Sequence, residues 1–441
     1  MLIADVAVVD PRDGVVTAHQ DVRVEGDCIA QVTATAGGPG DVDGRGRFVV
    51  PGFADMHAHP LNRADPRREL GLMLAHGITG FRQMSGGRGT ARGDRAPALL
   101  ATSGAVLTPI NAGTPAAAVA EVRRQARAGV DFVKAAIITP EVYFAVQAEA
   151  DRHGLPVVGH LPAGIDVRAA ARAGFRSIEH LGPGLGVLAD CSCHGTPAPR
   201  PIKAPPFRIP FADRVAAKLL DRIVVNPAQL TTPATLAATR DVIASFDEQR
   251  ARELAQEFAA RDTWNCPTLI RVKAQQLCDA PEFAADPDLR HVTAKERKAW
   301  TAAAARFRKK FDAAQREIFA GQFALQLRLV KILAEEGAPL LAGTDAVGAA
   351  WVVPGASLHD EFDLLAQAGL SPLRILRAAT VDPARFLRRE RDAGVVEAGK
   401  EADLVLLDAD PTTAVAHLHA VSGVIRQGRH HDSAALAGLK G

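Results

Sequence analysis

The sequence has no long apolar run and no block of like charge. No uninterrupted apolar stretch approaches the roughly 20 residues that a membrane helix requires. The formal net charge of the 441 residues is only +2, and lysine and arginine dominate no segment. We therefore expect no binding face for nucleic acid or for a membrane, and a small molecule is the expected partner.

Cysteine and tyrosine are scarce. The five cysteines, an odd number, are scattered at positions 28, 191, 193, 266 and 278, which fits a reducing compartment better than a disulfide framework. The opening residues MLIADVAVVD lack the basic head and apolar stretch of a secretory signal, so we expect a cytoplasmic protein. The single tyrosine, Tyr143, lies in a predicted helix that begins near Pro140, where packing is the expected role.

The order of strand-like and helix-like segments predicts an α/β protein. Between residues 49 and 394, short apolar segments alternate with Ala- and Arg-rich helical stretches, which is typical of a (β/α)8 TIM barrel. Strand-and-turn patterns at both ends, 1–48 and 395–441, predict one small β-sandwich domain built from both termini. An insertion at about 182–263 is too long for an ordinary connection. Its apolar residues are expected to form a wall near the barrel mouth: Pro206, Phe207, Ile209 and Phe211.

A His-x-His pair ends the first predicted barrel strand. In PGFADMHAH, the side chains of His57 and His59 project from the same face of a strand and could share one metal ion. The spacing alone is weak evidence, because His417 and His419 show it without any supporting residues. We interpret that second pair as a surface feature.

Four more polar residues end predicted strands: Lys134 in VDFVK, His160 in LPVVGH, His180 in RSIEH and Asp345 in LLAGTD. Active sites of such barrels lie at the carboxyl ends of the strands. Four histidines, a lysine and an aspartate at those ends are hard to explain as core packing.

These motifs occur in one order along nearly the whole chain: PGFADMHAH, the strand-end Lys134, GHLP, SIEH, GTD and the late AGKEADLVLLD. In this order they resemble the amidohydrolase superfamily. Within it, they are similar to the imidazolonepropionase-like group, which includes metal-dependent dipeptidases and aryl-urea hydrolases. The resemblance implies a TIM barrel with a binuclear metal centre and a hydrolase that acts on carbon–nitrogen bonds.

The resemblance also implies a ligand set. His57, His59 and Asp345 would hold the more buried divalent ion, and His160 and His180 the other. Lys134 would bridge the two, with a water, after carboxylation by carbon dioxide, because a cationic ammonium cannot ligate a metal. Such ligands suit zinc, although manganese or iron would fit. Asp345 would then act as general base and proton shuttle.

Four residues are candidates for the substrate pocket. His359 stands at a helix start just after the last predicted barrel strand, where a capping or surface role is the alternative. Arg82 and Arg271 lie near strand ends, where each could bind a carboxylate. Cys266, in WNCPTL, could point into the barrel, and a packed thiol is its ordinary interpretation.

Cys191, Cys193 and His194 form a C-x-C-H motif in the insertion. A third metal site would need a fourth ligand, and none is evident. We therefore interpret the motif as an ordinary loop.

The chain departs from its dipeptidase relatives after the third histidine, where a tyrosine (H-A-Y) is expected. Here His160 is followed by Leu161 and Pro162. The leading hypothesis is therefore hydrolysis of a small amide, urea or carbamate by a metal-bridging hydroxide. A dipeptidase or N-acyl amino acid hydrolase, a single-metal deaminase and a non-catalytic barrel remain alternatives. We expect a homo-oligomer.

Overall fold

The computed structural model describes residues 1–63, 65–86, 91–193 and 225–440, and its fold is mixed α/β. The strands are β1 (Leu2–Val9), β2 (Val16–Glu25), β3 (Cys28–Ala34), β4 (Val42–Asp43), β5 (Phe48–Pro51), β6 (Phe53–Ala58), β7 (Ile78–Gln83), β8 (Ala98–Thr102), β9 (Val133–Ala135), β10 (Val157–Gly159), β11 (Phe175–Glu179), β12 (Trp264–Cys266), β13 (Leu404–Leu407), β14 (Val421–Arg426) and β15 (Arg429–Asp432).

The α-helices are α1 (Arg67–Ala75), α2 (Pro115–Arg127), α3 (Pro140–Arg152), α4 (Val167–Arg172), α5 (Gly186–Asp190), α6 (Pro233–Ala244), α7 (Glu248–Arg261), α8 (Leu269–Gln276), α9 (Pro281–Ala285), α10 (Ala294–Lys310), α11 (Ala313–Glu335), α12 (Ala356–Gln367), α13 (Pro372–Ala379), α14 (Val381–Phe386) and α15 (Ser433–Leu439). Among the described residues, no helix has the length and apolar character needed to cross a membrane.

Several helices begin where the local sequence dictates. Thr114, Thr139, Thr232 and Ser371 are each followed by proline, and each is the N-cap of a helix whose first residue is that proline. In all four cases the side-chain oxygen accepts the backbone N–H three residues on. The cap satisfies one of the free N–H groups of the first turn, and proline has no N–H to leave unpaired.

One sheet combines strands from both ends of the chain. Its order is β15-β14-β13-β5-β1-β2-β3, with β4 beside β1. Strand β5 is central, since it pairs antiparallel with β13 and parallel with β1. The buried core of this sheet includes Ile3, Val49 and Leu404. Whether these strands form a separate domain within the predicted boundaries, and whether that domain is a sandwich, stay predictions.

The residues between these ends supply parallel strands. Strands β6, β7 and β8 form one parallel sheet, and β9, β10, β11 and β12 form another. Isolated parallel bridges join Ser103 to Phe132, Asn265 to Leu340 and Ala58 to Ala346. A second apolar cluster draws side chains from both sheets and from the segment after α11, and it includes Met56, Val158, Cys266 and Leu341.

The predicted strand in LLAGTD is extended chain with bridges only near its ends, at Leu340 and Ala346. Backbone hydrogen bonds still join the segment to β6, from Met56 N–H to the Ala342 carbonyl at 2.9 Å and from Asp345 N–H to the His57 carbonyl at 2.7 Å, and the side chain of Asp55 adds further bonds. One of its oxygens accepts the backbone N–H of Thr344 at 3.1 Å, and the other accepts the Thr344 hydroxyl at 2.6 Å. The Thr344 N–H is shared between Asp55 and the His57 carbonyl, which lies 3.2 Å away, and these bonds help to fix the turn that presents Asp345.

The predicted insertion is described in part. Helices α5, α6 and α7 and a 3₁₀ helix, Pro227–Leu230, fall within residues 182–263. The expected apolar wall of Pro206, Phe207, Ile209 and Phe211 lies outside the described residues, as does His194 of the C-x-C-H motif.

Candidate metal centre

The six predicted ligands lie at the carboxyl ends of parallel strands. His57 is near the end of β6 and His59 directly follows that strand, while Lys134 lies within β9. His160 and His180 directly follow β10 and β11. Asp345 precedes Ala346, which bridges to Ala58 of β6. The carboxyl ends of adjacent parallel strands meet at one edge, so the side chains converge there.

Asp345 is the hub of the cluster. One of its carboxylate oxygens lies 3.2 Å from Nε2 of His57 and 3.1 Å from Nε2 of His59. Its other oxygen lies 3.9 Å from Nε2 of His180. His160 lies beside His180, and the centroids of the two imidazole rings are 5.2 Å apart.

Lys134 completes the group from below. Its Nζ lies 3.3 Å from Nε2 of His57, and its side chain is buried. Burial lowers the pKa of the Lys134 ammonium, because the charged form loses its hydration. The charged form of this side chain is therefore less favoured here than it is in water.

The Nδ1 atoms of three histidines are bound to neighbours that must accept their protons. Nδ1 of His57 contacts a carboxylate oxygen of Glu179 at 2.6 Å, and a carboxylate is an acceptor only. Nδ1 of His180 contacts the Thr268 hydroxyl at 2.6 Å, and that hydroxyl already donates its single hydrogen to the backbone carbonyl of Pro267.

His59 has the same kind of outer partner. Its Nδ1 lies 2.9 Å from the hydroxyl of Ser85, which donates its hydrogen to the side-chain oxygen of Asn62. All three imidazoles therefore carry their proton on Nδ1 when neutral. Their Nε2 lone pairs are directed at the carboxylate of Asp345.

This arrangement fits a divalent metal ion. Ligand atoms of His57, His180 and Asp345 all lie within 4.8 Å of one another. Lone pairs and a carboxylate brought this close repel one another unless a cation lies among them. Neutral imidazole whose other nitrogen donates to an outer acceptor is the usual state of a metal-ligating histidine.

The electrostatics of the cluster keep the ligands in their binding forms. Burial, with a contribution from Lys134, lowers the pKa of His59 to about 4 and that of His160 to about 3. Burial raises the pKa of Asp345, but His180 and His57 outweigh it and hold that pKa well below its usual range. At neutral pH, these imidazoles are therefore neutral and this carboxyl group is ionised.

Backbone strain is concentrated at the same residues. His180, Thr268 and Asp345 all have left-handed φ angles, of 58°, 45° and 63°. Such angles are unfavourable for side chains with a Cβ, and for a β-branched residue such as Thr268 they are rare. The surrounding structure imposes these angles where the ligands meet.

Close packing below the ligands depends on Gly343. A Cβ at this position would lie 2.7 Å from Sγ of Cys266 and 2.8 Å from the backbone nitrogen of His57. Cys266 is fully buried, and burial raises the pKa of its thiol well above the usual value. Its sulfur lies within 4.8 Å of ligand atoms of His57 and Glu179, so it packs beneath the centre as a neutral thiol.

The two candidate pocket arginines have different positions. Nε of Arg271, in α8, donates to the carboxylate of Asp345 at 3.1 Å, so Arg271 borders the cluster. Arg82 is fully buried and donates to Glu179 at 2.8 Å and to the backbone carbonyl of Met56 at 2.6 Å. Arg82 therefore has no exposed surface to which a substrate carboxylate could bind. Its side chain points into the protein interior, where it binds Glu179 and Met56.

His359 is bound elsewhere. Its Nε2 contacts the backbone carbonyl of His76 at 2.9 Å, and its ring packs against Phe53, Phe362 and His419. None of its described contacts is with the six clustered residues. These contacts favour a packing role over the predicted pocket role.

The cysteines of the C-x-C-H motif differ in exposure. Cys191 is buried and Cys193 is exposed. His194 is outside the described residues, so a third metal site in the insertion stays untested.

Sequence reasoning missed the residues that bind the outer nitrogens of the histidines, namely Glu179, Ser85 and Thr268. A signal existed for Glu179. It lies in a short buried strand, two residues after Ser177, so both side chains project from the same face. A carboxylate in a buried strand requires a hydrogen-bonding or charged partner. This requirement is easily overlooked in the sequence, because Glu179 stands next to His180, the more obvious candidate in SIEH.

Comparison with known proteins finds one partial family match and similar solved structures. A model described as the amidohydrolase family matches residues 322–430. The structure of a bottromycin amidohydrolase is similar, with 27% sequence identity and a TM-score of 0.72, over 100% of this chain and 88% of that one. No curated protein sequence matches the chain.

Two less similar structures share the fold. A Xaa-Pro dipeptidase with bound methionine has 17% identity and a TM-score of 0.61, over 98% of this chain and 99% of that one. Molinate hydrolase has 15% identity and a TM-score of 0.61, over 99% and 95%. The partial family match and the similarity to the bottromycin amidohydrolase structure are consistent with the amidohydrolase superfamily, and they support a hydrolase that acts on carbon–nitrogen bonds.

Proposed function

We propose that the chain is a binuclear metal-dependent hydrolase that cleaves an amide-like C–N bond in a small amide, urea or carbamate. One observation carries this proposal. Three imidazoles, each with Nδ1 bound to an acceptor, direct their Nε2 atoms at the ionised carboxylate of Asp345.

In this proposal, two ions share the cluster. His57, His59 and Asp345 would hold one ion, and His160 and His180 would hold the other. Lys134, carboxylated by carbon dioxide, would be a ligand to both. Burial and the lowered pKa of Lys134 support this role, because carboxylation needs a neutral amine. Imidazole and carboxylate donors favour zinc, with manganese or iron as alternatives.

Two ions held by these residues would supply a lowered pKa for a bound water and polarisation of the substrate carbonyl. Asp345 receives a proton from the attacking water as the new C–O bond forms. It then delivers that proton to the leaving nitrogen as the C–N bond breaks. The donor Arg271, 3.1 Å from the Asp345 carboxylate, keeps this group oriented towards the histidines.

The two residues after His160 bear on the substrate. Leu161 and Pro162 replace the tyrosine expected in dipeptidases, so no phenol hydroxyl is supplied at that position. Similarity to a bottromycin amidohydrolase supports amide chemistry without limiting it to dipeptides.

Arg271 supports a second candidate, a dipeptidase or N-acyl amino acid hydrolase. Its side chain is 8% exposed beside Asp345, where a substrate carboxylate would have to lie. The similarity to a Xaa-Pro dipeptidase structure supports the same alternative.

The fold in this proposal is a closed (β/α)8 barrel. Isolated parallel bridges support closure. They link the segment after β8 to the residues at β9, β12 to the LLAGTD segment, and the residue after that segment to β6. Seven parallel strands and this segment would make eight. The composite terminal domain and the homo-oligomer also stay proposals.

A substrate panel tests the function. Dipeptides, N-acyl amino acids, anilides, aryl ureas, carbamates and lactones are assayed with zinc-loaded protein, and Asp345→Asn serves as the inactive control. Hydrolysis of N-aryl amides or ureas is expected. Turnover of Xaa-amino acid dipeptides alone would establish the second candidate instead.

Metal stoichiometry separates the deaminase alternative. Two ions per chain, with one or both lost in Lys134→Ala, are expected for the binuclear hydrolase. A single tightly bound ion that survives Lys134→Ala would favour a deaminase. A protein that binds no metal and gains no activity on metal addition would point to a non-catalytic barrel.

A further inference from the structure

A buried ionic network lies beneath the metal centre and has no role in the proposed reaction. Glu179 and Arg82 are both completely buried and form an ion pair at 2.8 Å. The guanidinium also lies over the rings of Phe386 and Phe132, 4.9 and 5.7 Å from their centroids. Burying a charge pair is costly, so a pair in this place needs a reason beyond stability.

The two carboxylate oxygens of Glu179 have different partners. One oxygen accepts hydrogen bonds from Nη2 of Arg82 at 2.8 Å and from the Ser177 hydroxyl at 2.6 Å. The other oxygen contacts only Nδ1 of His57, at 2.6 Å, among the described residues. Arg82 and Ser177 therefore fix the carboxylate so that one acceptor faces the imidazole.

On the far side of the ring, Nε2 of His57 faces Lys134 at 3.3 Å and Asp345 at 3.2 Å. A neutral imidazole carries one proton, so only one of its two nitrogens can donate a hydrogen bond. Glu179 can only accept at Nδ1, whereas Lys134 can donate to Nε2, so these two partners favour the proton on Nδ1 and a lone pair on Nε2. His57 is the only one of the three bonded histidines whose outer partner is a carboxylate rather than a hydroxyl.

We propose that Glu179 is a positioning residue that sets the tautomer of His57, and that Arg82 and Ser177 lock the direction of this hydrogen bond. The inference rests on the proposed function, because it takes the Nε2 lone pair of His57 to be a metal ligand. A carboxylate that orients a ligating histidine typically changes metal affinity by roughly 10–100-fold when it is replaced.

Glu179→Gln makes a sharp test, because glutamine has the same shape and only one acceptor oxygen. Arg82 and Ser177 are both donors, so they require that oxygen. The amide NH₂ must then face Nδ1 of His57 and donate to it. His57 is forced to carry its proton on Nε2, where it blocks the lone pair that would bind the ion.

The measurement is zinc affinity and stoichiometry, by competition with a chromophoric chelator, for wild type and Glu179→Gln. The matched control is Glu149→Gln, which removes a buried carboxylate in α3 that pairs with Arg123 and Arg152. We expect Glu179→Gln to bind one ion roughly 10–100-fold more weakly and the control to match wild type. Equal zinc affinity in Glu179→Gln and wild type would overturn the proposal.

A second measurement covers the case in which Glu179→Gln does not fold. The tautomer of His57 is read in the metal-free wild type from two-bond ¹H–¹⁵N correlations of the imidazoles, with the His57 signals assigned from His57→Gln. A protonated Nδ1 and a bare Nε2 are expected, and the reverse would overturn the inference. Wild type that binds no zinc would instead refute the proposed function, while the tautomer remains readable.

Discussion

The chain contains two His-x-His pairs with nearly the same immediate partner. Nε2 of His59 lies 3.1 Å from Asp345, and Nε2 of His419 lies 3.1 Å from Asp363. The likeness extends to a threonine. The Thr413 hydroxyl lies 3.0 Å from Nδ1 of His417 and donates to a backbone carbonyl, as the Thr268 hydroxyl does beside His180.

The surroundings of the two pairs differ. His419 and Asp363 are 36% and 53% exposed, on a 3₁₀ helix (Val415–His419) and on α12, whereas His59 and Asp345 are 12% and 17% exposed. Water solvates the exposed pair and screens its charges. At the strand ends, the imidazoles of His57 and His180 also lie close to Asp345, and this group of side chains is more buried. A His-x-His spacing beside a carboxylate is therefore not sufficient to indicate a metal site. The candidate metal centre differs from the exposed pair because several ligand side chains meet there in a buried site.

The largest expected difference is between the two aspartates. Asp345→Asn removes the proton carrier and should lower kcat by about 10²–10⁴-fold. Asp363→Asn changes a solvated ion pair and should leave kcat unchanged. Steady-state assays of both variants on a substrate from the panel decide the matter, and equal losses would remove the distinction drawn between the pairs.

The second histidine of each pair gives the next largest contrast. His59→Ala removes a proposed ligand, so zinc affinity should fall by roughly 100-fold or more, beyond what loss of an outer partner typically causes. His419→Ala should retain wild-type zinc content. Elemental analysis after dialysis against a weak chelator measures both, and full zinc retention in His59→Ala would contradict the ligand assignment.

The two threonines allow a finer test. Thr268→Val keeps the shape of the side chain and removes the hydroxyl that accepts from His180, so zinc affinity should fall by about 10-fold. Thr413→Val makes the same chemical change beside His417 and should have no effect on zinc. Chelator competition on the pair of variants compares them directly. If both variants bind zinc like wild type, the hydroxyl does not orient His180.

The smallest effect concerns His359, which packs against His419. Burial, with contributions from His76 and His419, lowers the pKa of His359 from 6.5 to about 3. The unfolded chain therefore takes up this proton near pH 6.5, whereas the folded protein does not until about pH 3. The stability that depends on this group is fully present above pH 6.5 and decreases as the pH falls towards 3.

His359→Gln replaces the titrating imidazole with an amide that takes up no proton in this pH range. The amide can still donate a hydrogen bond to the backbone carbonyl of His76. Between pH 7 and pH 5, the variant should lose about 2 kcal/mol less of its free energy of unfolding than wild type. Urea unfolding at both pH values measures the difference. Parallel losses in the two proteins would show that His359 is protonated in the folded state.

The sequence predicts where the ligands lie better than it predicts what holds them. Each proposed ligand ends or directly succeeds an apolar run, and parallel strands bring such ends to one edge, so the sequence alone groups residues as distant as His57 and Asp345. The order of apolar runs is a local property of the chain, which a single sequence displays.

The buried network could not be predicted in the same way. The sequence places Arg82 at the substrate, because a strand-end position does not tell which face of a short strand is interior. Its side chain points inward to Glu179, a partner on another strand. The hydroxyl partners were equally hidden, since Ser85 and Thr268 lie in connections whose geometry depends on strained backbone and on side chains elsewhere.

Strand β5 has a consequence for the order in which the candidate site can assemble. A single residue, Gly52, separates β5 from β6, the strand that carries His57, and Gly52 itself bonds to the backbone carbonyl of Asp403. Strand β5 pairs along its whole length with β13, from Leu404 opposite Pro51 to Leu407 opposite Phe48. Pairings between such distant segments form slowly. During synthesis, His57 and His59 are made long before β13, so the strand next to them reaches its final pairing only after residue 407 has been translated.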